Sequence, residues 1–244
     1  MFKITRFGEA LGDHLMASLF VHTLNDNNIP SVFGESKYRH LIDCPTPIEG
    51  IHYKNYEFTY YNIPNSNIME IALKKFCKEN KFNDIRFNRN FIPVKFTEDL
   101  SIQSFEVVMV TKTSKTAIVR DWPFFDILKN ILTELNISWK DITQEKDNTF
   151  LNYVVNSKLF ITLETGAAHL ASQFISKENS LVIQSGYCGN KFWNFYNYDV
   201  ICNQTACEWC FNDITKPKCK YNHVCMREIS VETIVEIIKN KLKI

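Results

Sequence analysis

Four short stretches carry side chains whose types and spacing could do chemistry. In Gly8-Glu9-Ala10-Leu11-Gly12-Asp13-His14-Leu15, two glycines and a carboxylate meet where a strand gives way to a helix. Ligands of open α/β sheets bind beyond the carboxyl ends of strands, so this corner is placed to meet one. The plainer possibility is a turn with Asp13 as helix N-cap. It is no dinucleotide fingerprint, because Gly8 and Gly12 are four apart and no G-x-G-x-x-G follows. In Glu164-Thr165-Gly166-Ala167-Ala168-His169, Thr165 and Gly166 open a helix whose first N–H groups would favour a phosphate. His169 falls on its first turn; a capped helix with a satisfied histidine is the alternative. Thr111-Lys112-Thr113-Ser114-Lys115-Thr116 and Arg120-Asp121-Trp122-Pro123 place hydroxyls and cations after a strand, suiting either phosphate contact or a solvated loop. Finally, Cys202, Cys207, Cys210, Cys219 and Cys225 contain one C-x-x-C with two further cysteines close behind. Four thiolates can hold zinc or iron tetrahedrally, with His223 a spare ligand. Reduced core cysteines and disulfides are the other options.

The elements that must position these groups are legible from apolar spacing. Residues 2–7 read as a strand. Leu15, Met16, Leu19, Phe20 and Leu24 put a helix over 13–25, and 31–33 returns as a strand. Residues 34–67 are Tyr-, Asn- and Pro-rich and read as irregular with short strands; 68–79 reads as a helix and 80–97 as a linker. The run 105–110 is a buried strand, and Pro123 is expected at the first position of a helix through Leu135. A helix at 150–157, strands at 158–163 and 181–184, and helices at 167–174 and 231–242 complete the pattern. Strands alternating with helices mean parallel sheets and an α/β fold. The aromatic run between 53 and 61 suits a core or a subunit interface better than a groove.

Composition narrows the function classes. The 244 residues are 45% hydrophobic and 23% charged with a net charge of +1, so the chain is globular. Residues 1–99 carry 12 basic and 12 acidic side chains. That balance argues against nucleic acid and allows at most peripheral membrane contact. The N-terminus lacks the apolar core of a secretory leader, and no apolar run approaches a bilayer span, so a cytoplasmic location is expected. Glycine is scarce, with seven in all, and five of them (Gly8, Gly12, Gly166, Gly186, Gly189) fall at strand ends.

Taken in order, several stretches resemble glycosyltransferase family 9, the heptosyltransferases that use ADP-heptose. They are Ala10-Leu11-Gly12-Asp13-His14-Leu15-Met16, Arg120-Asp121-Trp122-Pro123, Glu164 through Ala171, Gly186-Tyr187-Cys188-Gly189 with Trp193, and Cys207-Glu208-Trp209-Cys210 through Ile229. The resemblance implies a GT-B-like α/β architecture, two Rossmann-like domains with a cleft between them. Residues 1–98 would be a reduced acceptor-side domain and 99–244 the nucleotide-sugar domain. It implies an inverting, metal-independent transferase acting on a glycan, lipopolysaccharide core or protein acceptor, with homo-oligomerisation open. Asp13 would be the general base. Gly12, Thr111, Thr113, Arg120, Glu164, Thr165, Gly166 and His169 would hold the donor. Cys207, Cys210, Cys219 and Cys225 would hold a structural iron or zinc. Glu164 stands where the family usually has Asp, Arg120 where it often has Lys, and the N-terminal half is short. That last departure keeps a second expectation alive, a non-catalytic nucleotide-sugar or glycan-binding module or a truncated relative working in an assembly. The cysteines alone would also suit a metal-centred redox protein.

Overall fold

The computed structural model describes residues 1–6, 8, 10–59, 67–87, 91–114, 120–186, 198–203, 219 and 221–244. The first half folds as β1 (Phe2–Arg6), α1 (Leu11–Asp26), β2 (Ser31–Phe33), β3 (Lys54–Phe58) and α2 (Ile68–Asn80). Its three strands are parallel in the order β2-β1-β3, with Ile4 opposite both Phe33 and Tyr56. The second half contains β4 (Val107–Met109), α3 (Phe125–Glu134), β5 (Trp139–Asp141), α4 (Asp147–Val155), β6 (Leu159–Leu163) and α5 (Gly166–Ala171). It continues through β7 (Ser180–Gln184), β8 (Val200–Cys202), α6 (Val224–Arg227) and α7 (Val231–Leu242). These five strands form one parallel sheet in the order β5-β4-β6-β7-β8. Two parallel sheets covered by helices give the expected α/β layering, and the first sheet is the smaller.

Strand pleating explains how the core divides. Val107 and Met109 of β4, Leu159, Ile161 and Leu163 of β6, and Leu181 and Ile183 of β7 all face α3 and α7. The alternate residues Val108, Phe160 and Val182 face the opposite way, as period-two geometry requires. That opposite face shares one core with Leu15, Phe20 and Leu24 of α1 and Phe76 of α2. The two sheets are therefore joined by an apolar core. Each of these buried side chains contributes roughly 1.5–3 kcal/mol of transfer free energy. Tyr56 and Phe58 of the aromatic run pack on Phe20 in that core.

Several local boundaries need correction. The helix after the first strand begins at Leu11 rather than Asp13. Pro123 lies two residues before α3, because Phe124 intervenes with φ −107° and ψ 13°. The helix after β6 stops at Ala171 instead of reaching Phe174. No described helix is long and apolar enough to cross a membrane.

Candidate active site

The site lies where the two halves meet, at the starts of α1 and α5. A Cβ on Gly166 would stand 3.1 Å from the Gly12 amide nitrogen and 3.4 Å from Leu11 Cβ. Glycine at 166 is thus what lets the two helix ends close on each other. Beside this contact opens a cavity of about 560 Å³. Gly12 and Asp13 line it from the first half. Thr113, Arg120, Glu164, Thr165, Gly166 and His169 line it from the second.

Asp13 is not the N-cap; Ala10 is, in extended backbone. Asp13 sits at the third helical position, and its Oδ2 accepts the Ala10 N–H at 3.1 Å. That bond satisfies one orphan donor of the helix start and fixes the carboxylate. The carboxylate lies against Gly8, whose φ is +92°, and a Cβ there would fall 2.8 Å from Asp13 Cγ. Glycine at position 8 therefore both permits the turn and leaves space for the carboxylate.

On the opposite wall Arg120 is held at the sheet end. Its Nη1 donates to the Glu164 carbonyl at 2.8 Å and lies 3.8 Å from Glu164 Oε1. The Glu164 carboxylate is buried and accepts from Ser185 Oγ at 3.2 Å. Two further anchors set the segment around Arg120. Trp122 is buried and its Nε1 donates to the Ile229 carbonyl at 2.9 Å. Asp121 Oδ1 accepts both the N–H and the hydroxyl of Thr113, at 2.8 and 2.7 Å.

His169 is neutral at pH 7. Burial first, and then the nearby Arg120 guanidinium, lower its pKa to about 4. A depressed histidine pKa supports stability that is complete above the ordinary value of 6.5 and is lost as pH falls toward 4. At 1.36 kcal/mol per pKa unit the loss is up to about 3 kcal/mol. Urea denaturation between pH 7.5 and 4 should show that fall, and His169→Gln should flatten it.

The donor-side expectations do not all converge. The Thr111 hydroxyl donates to Asp141 Oδ2 at 2.7 Å, away from the 560 Å³ cavity. Thr111 instead lines a smaller neighbouring cavity with Lys129 and Asp141. Burial raises the Asp141 pKa, but bonds from Thr143, Lys129 and Thr111 outweigh it and hold the carboxyl below its usual range. Thr111 thus positions the loops. The phosphate argument for α5 also weakens, because α5 has six residues and Thr165 Oγ1 accepts the Ala167 N–H at 3.2 Å. What the cavity offers an anion is chiefly the cations Arg120 and Lys112, with Thr113 and Ser114 beside them. Thr143 and Gln144 also line it. They follow β5, a strand whose Trp-Lys-Asp sequence has no apolar signal.

Cys207 and Cys210 lie outside the described residues. Cys219 and Cys225 are described, with Cys225 buried in the core on the α7 side and Cys219 Sγ accepting the His223 N–H at 3.3 Å. Among the described residues no group of three or more metal-ligating side chains assembles.

No protein-family model matches the chain, and no curated protein matches it. Solved structures do. The iron-containing dodecameric glycosyltransferase TibC of enterotoxigenic E. coli superposes with a TM-score of 0.69 and 14% identity. The match covers 99% of this chain and 76% of that one. The same protein has been solved with ADP-D-beta-D-heptose, with a TM-score of 0.68. A family 9 glycosyltransferase of Veillonella parvula gives 0.64 at 12% identity, over 99% of this chain and 97% of the other. The fold is that of the family 9 glycosyltransferases. E. coli ADP-heptose lps heptosyltransferase II gives 0.54 at 9% identity, over 100% and 99% of the two chains. The GT-B-like expectation therefore holds for the architecture.

Proposed function

We propose that the chain is an inverting glycosyltransferase that moves heptose from an ADP-heptose-like donor to a glycan, lipopolysaccharide core or protein hydroxyl. The observation that carries this is that one cavity has Asp13 on one wall and Arg120, Lys112 and Thr113 on the other. Its volume falls among ligand pockets of roughly 300–1,000 Å³. The Asp13 carboxylate takes the proton of the acceptor hydroxyl. The acceptor oxygen bonds to the sugar C1 from the face opposite the diphosphate. The C1–O bond to phosphate breaks, and its electron pair leaves on the diphosphate. Arg120 and Lys112 meet the charge that develops there. A single displacement inverts the anomeric centre, and no step requires a metal.

The test is nucleotide release. Incubated with ADP-heptose, the chain should release ADP, faster when an acceptor is present and faster than from other sugar nucleotides. Binding without release under any condition would favour a non-catalytic nucleotide-sugar module and overturn the transferase.

We also propose that Cys207, Cys210, Cys219 and Cys225 hold a structural iron or zinc. The ligand chemistry of four thiolates and the iron-containing TibC structure support this. Purified chain should carry about one metal ion per molecule. Elemental analysis should show it lost in Cys207→Ser/Cys210→Ser and kept in Cys77→Ser. Metal-free, folded wild-type chain would refute it.

A further inference from the structure

We propose that Asp121 is a positioning residue of the 560 Å³ cavity, holding Thr113 so that the neighbouring Lys112 faces the diphosphate of the donor. The proposal rests on the reading of that cavity as the nucleotide-sugar site.

The chain beyond β4 is tied down on both sides of Lys112. Val110 N–H donates to the Ile161 carbonyl at 2.9 Å. Thr111 N–H donates to Thr143 Oγ1 at 2.8 Å, and its hydroxyl goes to Asp141. Thr113 gives both its N–H, at 2.8 Å, and its hydroxyl, at 2.7 Å, to Asp121 Oδ1. Between these ties Lys112 lines the cavity, with its side chain 66% exposed. The hydroxyls of Thr111 and Thr113 are engaged by carboxylates. The group this segment brings to an anion is therefore the Lys112 ammonium, a compact point charge.

Asp121 is fixed from its own side. It follows Arg120, whose Nη1 donates to the Glu164 carbonyl at 2.8 Å. It precedes the buried Trp122, whose Nε1 donates to the Ile229 carbonyl at 2.9 Å. The Asp121 side chain is only 16% exposed and lines neither the 560 Å³ cavity nor the smaller one beside it. Asp121 therefore acts on a ligand through Thr113 and Lys112. Its Oδ2 lies 3.8 Å from Lys112 Nζ, but an ion pair to so exposed an ammonium contributes little. What matters is the pair of bonds that Oδ1 accepts, and a neutral amide oxygen can accept both. The lysine stem is flexible, so the fixed backbone beneath it limits where the ammonium reaches.

Calorimetric titration of the full chain with ADP, and separately with inorganic pyrophosphate, tests this without any transfer. Asp121→Ala should weaken both ligands about tenfold, because a small misplacement of a binding group is costly. Asp121→Asn keeps the accepting oxygen and loses the charge, so it should restore most of that affinity. Lys112→Gln should weaken both ligands, and adding Asp121→Ala to it should change affinity by no more than about twofold. Should Asp121→Ala fail to fold, Thr113→Val is the second variant, since it removes one of the two bonds and leaves the carboxylate. It should weaken binding in the wild-type background and not in Lys112→Gln. Wild-type or tighter affinity in Asp121→Ala would overturn the role. So would a loss in Asp121→Asn as large as in Asp121→Ala, or a full tenfold loss on top of Lys112→Gln. If both anions bind and respond to these variants while ADP-heptose is never turned over, the transferase falls and the role of Asp121 stands, so the two failures are separable.

Discussion

Asp13→Asn is expected to lower transfer by about 10²–10⁴-fold, the range for loss of a general base. ADP-heptose affinity should change little. The asparagine Oδ1 can still accept the Ala10 N–H that Asp13 Oδ2 accepts at 3.1 Å, so the start of α1 survives. Loss of a negative charge in the first helical turn costs only about 0.3–1 kcal/mol. A collapse of kcat with donor binding retained would therefore report chemistry and not unfolding. Gly8→Ala offers an independent view of the same carboxylate. Its Cβ would stand 2.8 Å from Asp13 Cγ at a φ of +92°, so it should reduce kcat more than it weakens the donor. Wild-type rates in Asp13→Asn would remove Asp13 from the mechanism.

Arg120→Ala should lower kcat/KM by about 10²–10³-fold, as removal of a transition-state charge partner does elsewhere. The guanidinium is 17% exposed and lies against the Glu164 carbonyl and carboxylate, so it is ordered before the donor arrives. Arg120→Lys keeps the charge but loses the planar fork, and should recover part of the rate. Thermal denaturation is the control, because Arg120 also lies beside the buried Glu164 carboxylate. If Arg120→Ala lowered Tm yet left kcat/KM intact, the residue would be structural only.

Much of the architecture could be read directly from residues. Leu15, Met16, Leu19, Phe20 and Leu24 announce α1 because its inner face is buried in the core it shares with β1, β2 and α5. The runs in β6 and β7 are buried on both faces, and continuous apolar sequence reports such strands well. The edge strands of the second sheet are less visible. Trp139-Lys140-Asp141 and Val200-Ile201-Cys202 are only half-buried, so their composition carries little pattern.

For the site, Asp13, Arg120, Glu164 and His169 were legible as chemistry-bearing groups at strand ends. Their convergence on one cavity depends on the Gly12–Gly166 approach, a contact between residues far apart in the chain that local spacing does not encode. Thr111 shows the converse. It sits in the right loop, but its hydroxyl is already given to Asp141. The neutrality of His169 is likewise a product of tertiary burial.

The central claim is that the cavity between the starts of α1 and α5 is where the nucleotide sugar binds. Amide hydrogen exchange with saturating ADP-heptose tests it most directly. The account predicts slowed exchange at residues 10–13, 110–114, 120, 143–144 and 164–170, the segments that line that cavity, with residues 1–6 and 31–39 unchanged. Protection centred on any other part of the chain, or none at saturating donor, would contradict it.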